Sequence, residues 1–217
     1  MNSMVDEREG FAAFLLRLRA LGIPPKDLVS AMEATPRKLF VPASAQALAW
    51  SDRTLPIECG EAIEGVDLQA AVIAALEIEP GHRVLEIGTG SGFTAAVMAR
   101  LAARVVTVDR YKTLVTLATQ RFSMLGITNA FARQADGLTG LPGEGPFDRI
   151  VVWAAFEALP RGFVDQLATN GIMIAPIGPS EDEQQLAKLV KTGSRFERED
   201  IATVRLQPLV KGTAAVL

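Results

Sequence analysis

The chain has 217 residues, 49% of them hydrophobic, and a formal net charge of −3. That length fits one large domain, or one domain with a small appendage, and needs no disulfide staples because a chain of this size buries roughly 70% of its unfolded surface. A single cysteine, Cys59, and a single histidine, His82, exclude a disulfide framework and argue against a metal centre or a Ser-His-Asp triad. The slightly acidic balance leaves no electrostatic footprint for nucleic acid. No apolar run approaches the roughly 20 residues that a bilayer requires, and Met1–Gly10 has no apolar core of a signal peptide, so a cytoplasmic protein with no membrane partner is expected.

In chain order, Phe11–Leu21 places apolar residues at helical spacing and stops at Gly22. Pro24-Pro25 opens a second helix, roughly Lys26 to Ala34, which ends before Pro36. From Phe40 to Val66 the periodicity is lost; Pro42, Pro56, Gly60 and Gly65 punctuate a loop of a length that usually serves function. Asp67 reads as the cap of a helix reaching Leu76, closed by Pro80-Gly81. Strands at Arg83–Ile87, Arg104–Val108, Phe131–Gln134 and Phe147–Trp153 follow, with helices at Phe93–Leu101 and about Lys112–Leu125. Arg161–Ala168 reads as a short helix, and Gly171–Pro176 as a strand entered through an Asn-Gly turn. Leu186–Lys191 and Arg195–Val204 read as a hairpin turning at Thr192-Gly-Ser194. The pattern predicts a Rossmann-like α/β fold: a mostly parallel sheet of about seven strands with helices on both faces, an antiparallel C-terminal strand and N-terminal helices. Residues 1–66 would pack on a main unit of residues 67–217, making effectively a single domain.

Val84-Leu-Glu-Ile-Gly-Thr-Gly-Ser-Gly-Phe93 is a strand running into glycines and then a helix, a geometry that lets backbone approach a ligand closely. A dinucleotide site wants Gly-x-Gly-x-x-Gly, but the sixth position here is Phe93. The acidic Glu86 favours a ligand bearing a cation over a pyrophosphate, and S-adenosylmethionine carries an amino group and a sulfonium. Asp109, at the next strand end, can accept both hydroxyls of a ribose, and Asp136-Gly137 can accept from an adenine amino group. Each of these could be a turn residue; three together at consecutive strand ends point to a nucleoside ligand.

Thr35-Pro-Arg-Lys-Leu-Phe-Val-Pro42, Asp52-Arg-Thr-Leu-Pro-Ile57, Arg83–Gly92, Ala135-Asp136-Gly137, Phe147-Asp148, Ala154-Ala155, and Val204-Arg205 with Pro208-Leu-Val210 carry a further signal. On these stretches the chain resembles the protein-L-isoaspartate O-methyltransferase family over nearly its whole length. The resemblance implies a class I methyltransferase fold and S-adenosyl-L-methionine as cofactor. It also implies a protein or peptide partner, methylated on the α-carboxylate of isoaspartyl residues. Carried over by position, Glu86, Gly88, Thr89, Gly90, Ser91 and Gly92 would hold the methionine end of the cofactor. Asp109, where the family usually has Glu, would take the ribose with Arg110 beside it, and Asp136 with Gly137 the adenine. Ile63 and Arg205 would meet the substrate. After Leu-Pro-Ile the family continues Gly-x-Gly-Gln-Thr-Ile-Ser-x-Pro, whereas this chain reads Glu58-Cys-Gly-Glu-Ala-Ile-Glu-Gly-Val66. Ala62 thus stands at the catalytic Thr position and Glu64 at the Ser, while Trp153 and Phe156 replace the usual Thr and Pro around Ala154-Ala155.

Methyl transfer from a sulfonium to an ionised carboxylate needs alignment and exclusion of water rather than a base. Glu64 conflicts with that simplicity, because two carboxylates about 4 Å apart repel by on the order of 4 kcal/mol at an effective dielectric of 20. Either Glu64 points away as a solvated loop residue, or it holds a proton and donates a hydrogen bond, or the acceptor is another nucleophile. A non-catalytic S-adenosylmethionine-binding protein is the alternative from a different class. Adenine N6 methylation is disfavoured by Trp153-Ala-Ala-Phe156, where such enzymes present Asn/Asp-Pro-Pro-aromatic. Cys59 reads as a small buried residue, His82 as a structural turn residue, and Trp50 and Trp153 as packing.

Overall fold

The structure, a computed structural model, describes residues 2–22, 25–158 and 160–214, with side chains of the first helix described from residue 7. Helix α1 spans Asn2–Leu21 and buries Phe11, Phe14 and Leu18. It begins nine residues before the expected start, in a stretch without apolar spacing. Tertiary contacts support those turns: Glu7 accepts the Trp50 Nε1 hydrogen bond (2.8 Å), and Gly10 packs under the Trp50 ring. Helix α2, Lys26–Glu33, buries Leu28, Ala31 and Met32 as its spacing requires. Pro24 lies outside the described residues.

The expected loop from Phe40 to Val66 is irregular but closely packed. Short 3-10 turns at Arg37–Phe40, Ala43–Leu48 and Glu58–Gly60 alternate with a small hairpin of β1 (Leu55–Pro56) against β2 (Ala62–Ile63). Helix α3, Val66–Ala75, is capped by Gly65 rather than by Asp67. A Cβ at Gly65 would sit 2.1 Å from the Asp52 carbonyl oxygen, so only glycine fits the entry. The Asp67 carboxylate instead accepts both Arg17 Nε and Nη2, at 2.8 and 2.9 Å, tying α3 to α1.

Strands β3 (Arg83–Ile87), β4 (Arg104–Asp109), β5 (Ala130–Gln134), β6 (Phe147–Val152), β7 (Leu167–Ile177), β8 (Gln184–Thr192) and β9 (Arg195–Val204) form one sheet in the order β5-β4-β3-β6-β7-β8-β9. The five strands from β5 to β7 are parallel, and β8 is antiparallel to both neighbours. Helices α4 (Phe93–Ala99) and α5 (Lys112–Met124) link the parallel strands. Side chains alternate along each strand: Val84, Val105, Val151 and Ile174 join the core under α1–α5, while Leu85, Val106, Ile150 and Met173 face the other side. There the cover is the 3-10 helix Arg161–Gln166, through Phe163, together with loops. The helix expected over Arg161–Ala168 therefore ends at Gln166, and Leu167 already pairs with Phe147. Asn170-Gly171 is not a turn between elements but a bulge inside β7: Asn170 takes φ 60 and the register to β6 shifts.

The chain runs outward from β3 to β5 and then crosses back to β6 on the other side of β3. That reversal opens a crevice at the carboxyl ends of β3, β4 and β6, the position where open α/β sheets take ligands. At the far edge, β9 is solvent-exposed and carries Glu197, Arg198, Glu199 and Asp200 in succession, with Arg198 Nε 2.7 Å from Asp200 Oδ1. No described helix is long and apolar enough to cross a membrane.

Candidate active site

A cavity of about 270 Å³ fills this crevice. Its floor is the loop from β3 to α4. The Gly88 and Thr89 amides both donate to the Val108 carbonyl, at 2.9 and 3.1 Å, and Gly92 N donates to Thr89 O at 2.8 Å, so the loop is pinned to the neighbouring strand. Gly90 and Gly92 adopt φ of 50° and 86°. A Cβ on Gly92 would meet Ala118 Cβ of α5 at 2.8 Å, so the left-handed turn and the close helix approach both demand glycine there.

Glu86 does not line the cavity. It shares a face with Val84, so its carboxyl enters the layer between sheet and helices and is fully buried. Its register partner Thr107 donates to Oε2 at 2.7 Å, Trp153 Nε1 donates to Oε1 at 2.9 Å, and Thr94 Oγ1 also donates to Oε1. Trp153 and Thr94 are the groups presented to the cavity, with Glu86, expected to hold the methionine end, one side chain behind them. Burial pushes the Glu86 carboxyl up to about 7, the three hydrogen bonds oppose this, and the charge of Asp109 reinforces it. Thr107 also shares a hydrogen bond of 2.7 Å with Thr89, which extends the network into the glycine loop.

Asp109 ends β4 at the cavity wall. Oδ2 accepts from Gly90 N and Oδ1 from Tyr111 N, both at 3.0 Å, which leaves further lone pairs for a ligand. Burial raises its pKa; the amides of Tyr111, Gly90 and Arg110 pull it back, while the charge of Glu61 adds to the rise. Arg110 also lines the cavity, and its Nε is buried with no hydrogen-bond partner among the described residues. Gly137 is in the lining but Asp136 is not. The Asp136 carboxylate accepts from Leu138 N at 2.9 Å and Gly212 N at 2.8 Å, holding its own turn and the C-terminal segment. That segment runs beside Ala155, whose N donates to Gln207 O and whose carbonyl accepts from Leu209 N, and so brings Gln207–Val210 to the rim.

The opposite wall is the β2 hairpin, with Glu61, Ala62, Ile63 and Glu64 all in the lining. Glu64 is half-buried, accepts from Thr54 Oγ1 at 3.3 Å, and has its carboxyl pushed up by burial. A residue the sequence did not single out holds this wall. Arg37, fully buried, donates to the carbonyls of Ala49 and Glu64 (the latter at 3.0 Å) and to Gln69 Oε1, and lies 4.4 Å from the Phe93 ring centroid. Burial without a directly bonded carboxylate lowers its pKa to about 9, with the Asp67 charge opposing. Because guanidinium can only donate, Gln69 must turn its Oε1 to Arg37, and its amide NH₂ is the group left to the cavity it lines.

The cavity thus unites Ala62, Ile63, Glu64, Gly88–Ser91, Asp109, Arg110 and Gly137. Gly92 lies just behind as the helix cap, and Arg205 stands exposed outside, donating to Glu181 O at 3.3 Å. Thr94 and Thr107 were signalled by single polar residues in apolar runs on an inward face. Tyr111 and Gln69 gave no signal of their own. Cys59 is half-buried in a turn with φ 66, not fully buried, and burial raises its thiol pKa. His82 Nδ1 accepts from Glu79 N at 2.9 Å and holds a turn, and Trp50 packs edge-on to Phe11 and Phe93. Trp153, read as packing, is part of the site.

The sheet order with a crevice over the β3 loop, and Asp109 at the next strand end, define a class I methyltransferase fold. A solved Plasmodium falciparum structure of the protein-L-isoaspartate O-methyltransferase type, in complex with S-adenosyl-L-homocysteine, superposes with a TM-score of 0.77 at 25% identity, covering 92% of this chain and 97% of that one. Another protein-L-isoaspartate O-methyltransferase structure gives 0.80 at 25% identity, over 91% of this chain and 65% of that chain. The family model for protein-L-isoaspartate(D-aspartate) O-methyltransferase matches residues 11–214. Protein-L-isoaspartate O-methyltransferases of Rhizobium meliloti and Azorhizobium caulinodans are 48% and 46% identical to it, covering 93% and 100% of this chain and 99% and 100% of theirs. The chain belongs to the protein-L-isoaspartate(D-aspartate) O-methyltransferase family.

Proposed function

We propose that the protein binds S-adenosyl-L-methionine and methylates the α-carboxylate of isoaspartyl residues in proteins or peptides. The observation that carries this is the shared cavity: the glycine loop with Asp109 forms one wall, and the β2 hairpin forms the other. The residues fit the cofactor. Asp109 keeps lone pairs for ribose hydroxyls, Arg110 adds a cation to the lining, and Gly137 with the adjacent Leu209 adds apolar surface against which an adenine would pack. Thr94, Trp153 and the Gly88–Ser91 loop would meet the amino-acid end.

The cofactor supplies an electrophilic methyl group on a sulfonium. The chain's own residues contribute placement and exclusion of water, since a carboxylate acceptor is already ionised. Ala62 brings no hydroxyl, so the polar side chains on the acceptor wall are Glu61, Glu64 and the Gln69 amide. Burial shifts the Glu64 carboxyl toward its protonated form, and in that form it would donate to the acceptor carboxylate, turning a repulsion into a hydrogen bond. Arg205, exposed outside the cavity near Gln207 at the rim, would meet the peptide.

The test is methyl transfer from labelled cofactor to an isoaspartyl peptide, run beside the same peptide with ordinary aspartate. Transfer to the isoaspartyl form alone is expected. Binding of the cofactor without transfer to either peptide would overturn the acceptor assignment.

A further inference from the structure

Glu86 is a fully buried carboxyl whose bonded partners are all neutral. From α4 it meets Thr94, from β4 Thr107 and from β6 Trp153; Asp109 is the titratable group whose charge reaches it, and the charged groups lining the cavity beyond are Glu61, Glu64 and Arg110. Trp153 and Thr94 line the cavity, so the carboxyl lies one side chain behind the wall that would hold the amino-acid end of the cofactor. Nothing in the transfer itself uses it.

We propose that Glu86 is a positioning residue that reads the charge of the cofactor through the Trp153 indole, held ionised more strongly while a sulfonium occupies the cavity than once the thioether, which keeps only the α-ammonium, remains. The proton comes from solvent and balances the positive charge that leaves with the methyl group; no bond to Glu86 forms or breaks apart from its own O–H. This rests on the reading that the cavity takes S-adenosylmethionine. A cation behind a thin wall favours the ionised carboxyl, and in a buried site the field is little screened. An anionic Glu86 accepts from Thr94, Thr107 and Trp153 together. A protonated one must turn its own O–H toward one of these donors and loosen that contact, which gives the wall two arrangements.

The sign follows directly. A sulfonium lowers the Glu86 pKa beyond what the α-ammonium common to both ligands does, so the methyl donor gains more affinity than the thioether product as pH rises through about 7. Each unit by which the two complexes differ in Glu86 pKa corresponds to about a tenfold change in their affinity ratio across that range.

Titration calorimetry of S-adenosylmethionine and S-adenosylhomocysteine at pH 7, in buffers of different ionisation enthalpy, counts the protons exchanged. For the unaltered protein, the donor is expected to release more protons than the product. In Glu86→Gln that difference should vanish. Trp153→Phe keeps the carboxyl but removes one donor to its ionised form, so the pH at which the donor-to-product ratio changes should move upward. Indole fluorescence, followed in Trp50→Phe so that Trp153 reports alone, should differ between the two complexes at pH 7 and converge at pH 9. Equal proton release by both ligands in the unaltered protein overturns the proposal, as does a difference that persists in Glu86→Gln. Binding of neither ligand would instead overturn the cofactor reading.

Discussion

The two walls of the cavity are built on different principles. The cofactor wall is backbone: strand ends and a glycine loop stitched by amide hydrogen bonds to Val108 and by Asp109 to Gly90. The acceptor wall is a two-residue strand pair hung on one buried arginine. Backbone geometry leaves a readable trace, because glycines and acidic residues must stand at fixed intervals. A wall held by a long side chain shows its support less directly, since the residue that positions it is 27 positions away, as Arg37 is from Glu64; the Thr35–Pro42 stretch was legible as a family mark but not as the support of this wall. Such a wall can change its chemistry, Ser to Glu for instance, without disturbing the fold.

Four substitutions probe this contrast, in falling order of effect. Gly92→Ala should cost about 3 kcal/mol, combining left-handed strain with overpacking against Ala118, whose Cβ would be met at 2.8 Å. Denaturant unfolding measures it, and a loss below ~1 kcal/mol would mean the loop is less tightly fixed than its hydrogen bonds imply. Arg37→Met should cost about 2–3 kcal/mol, because the Gln69 Oε1 and the Ala49 and Glu64 carbonyls lose their donor; the isoaspartyl peptide KM should rise while cofactor affinity holds. A cofactor affinity that falls as far as the peptide's would erase the distinction between the walls. Asp109→Asn should weaken S-adenosylhomocysteine by roughly tenfold to a hundredfold in calorimetry, with unfolding changed little, since hydrogen bonds to a charged group contribute about 1.5–3 kcal/mol.

Glu64→Gln is the mildest. The raised Glu64 carboxyl means that the protonated donor form is present below its folded pKa and is lost as pH rises through it. The kcat/KM of the unaltered protein should therefore fall on the alkaline side by about fivefold, corresponding to ~1 kcal/mol of repulsion softened by partial exposure. Glutamine, a permanent donor, should flatten the profile. An unchanged profile would return Glu64 to a bystander.

The mostly parallel sheet and most of its strands and helices were legible because apolar runs and glycine stops repeat at the spacing the elements need; Arg83–Ile87 and Arg195–Val204 fall where the pattern puts them. The misread places share one cause, local chemistry overridden by tertiary partners. Asn170-Gly171 has the composition of a turn but sits in a long strand that absorbs it as a bulge. Asp67 is a good cap by type, yet Arg17 claims its carboxylate. Glu86 was read as part of the cofactor loop, and strand alternation turns it toward the helices with Val84. Asp136 and Arg205 follow a motif, but hydrogen bonds to Gly212 and Glu181 keep them off the cavity lining.

The outermost strand bears on the company such a protein would keep. β9 leaves one row of its amides and carbonyls unpaired within the sheet, an invitation to any extended segment that drifts past. Clients with damaged, loosened backbones are rich in such segments. The run Glu197-Arg-Glu-Asp200 keeps that edge hydrated, with neighbouring charges of both signs, and makes it a poor template. A methyltransferase that takes protein substrates at one crevice would thereby be kept from pairing with them at its border, and neutralising those four charges should show first as co-aggregation with unfolded protein, not as lost catalysis.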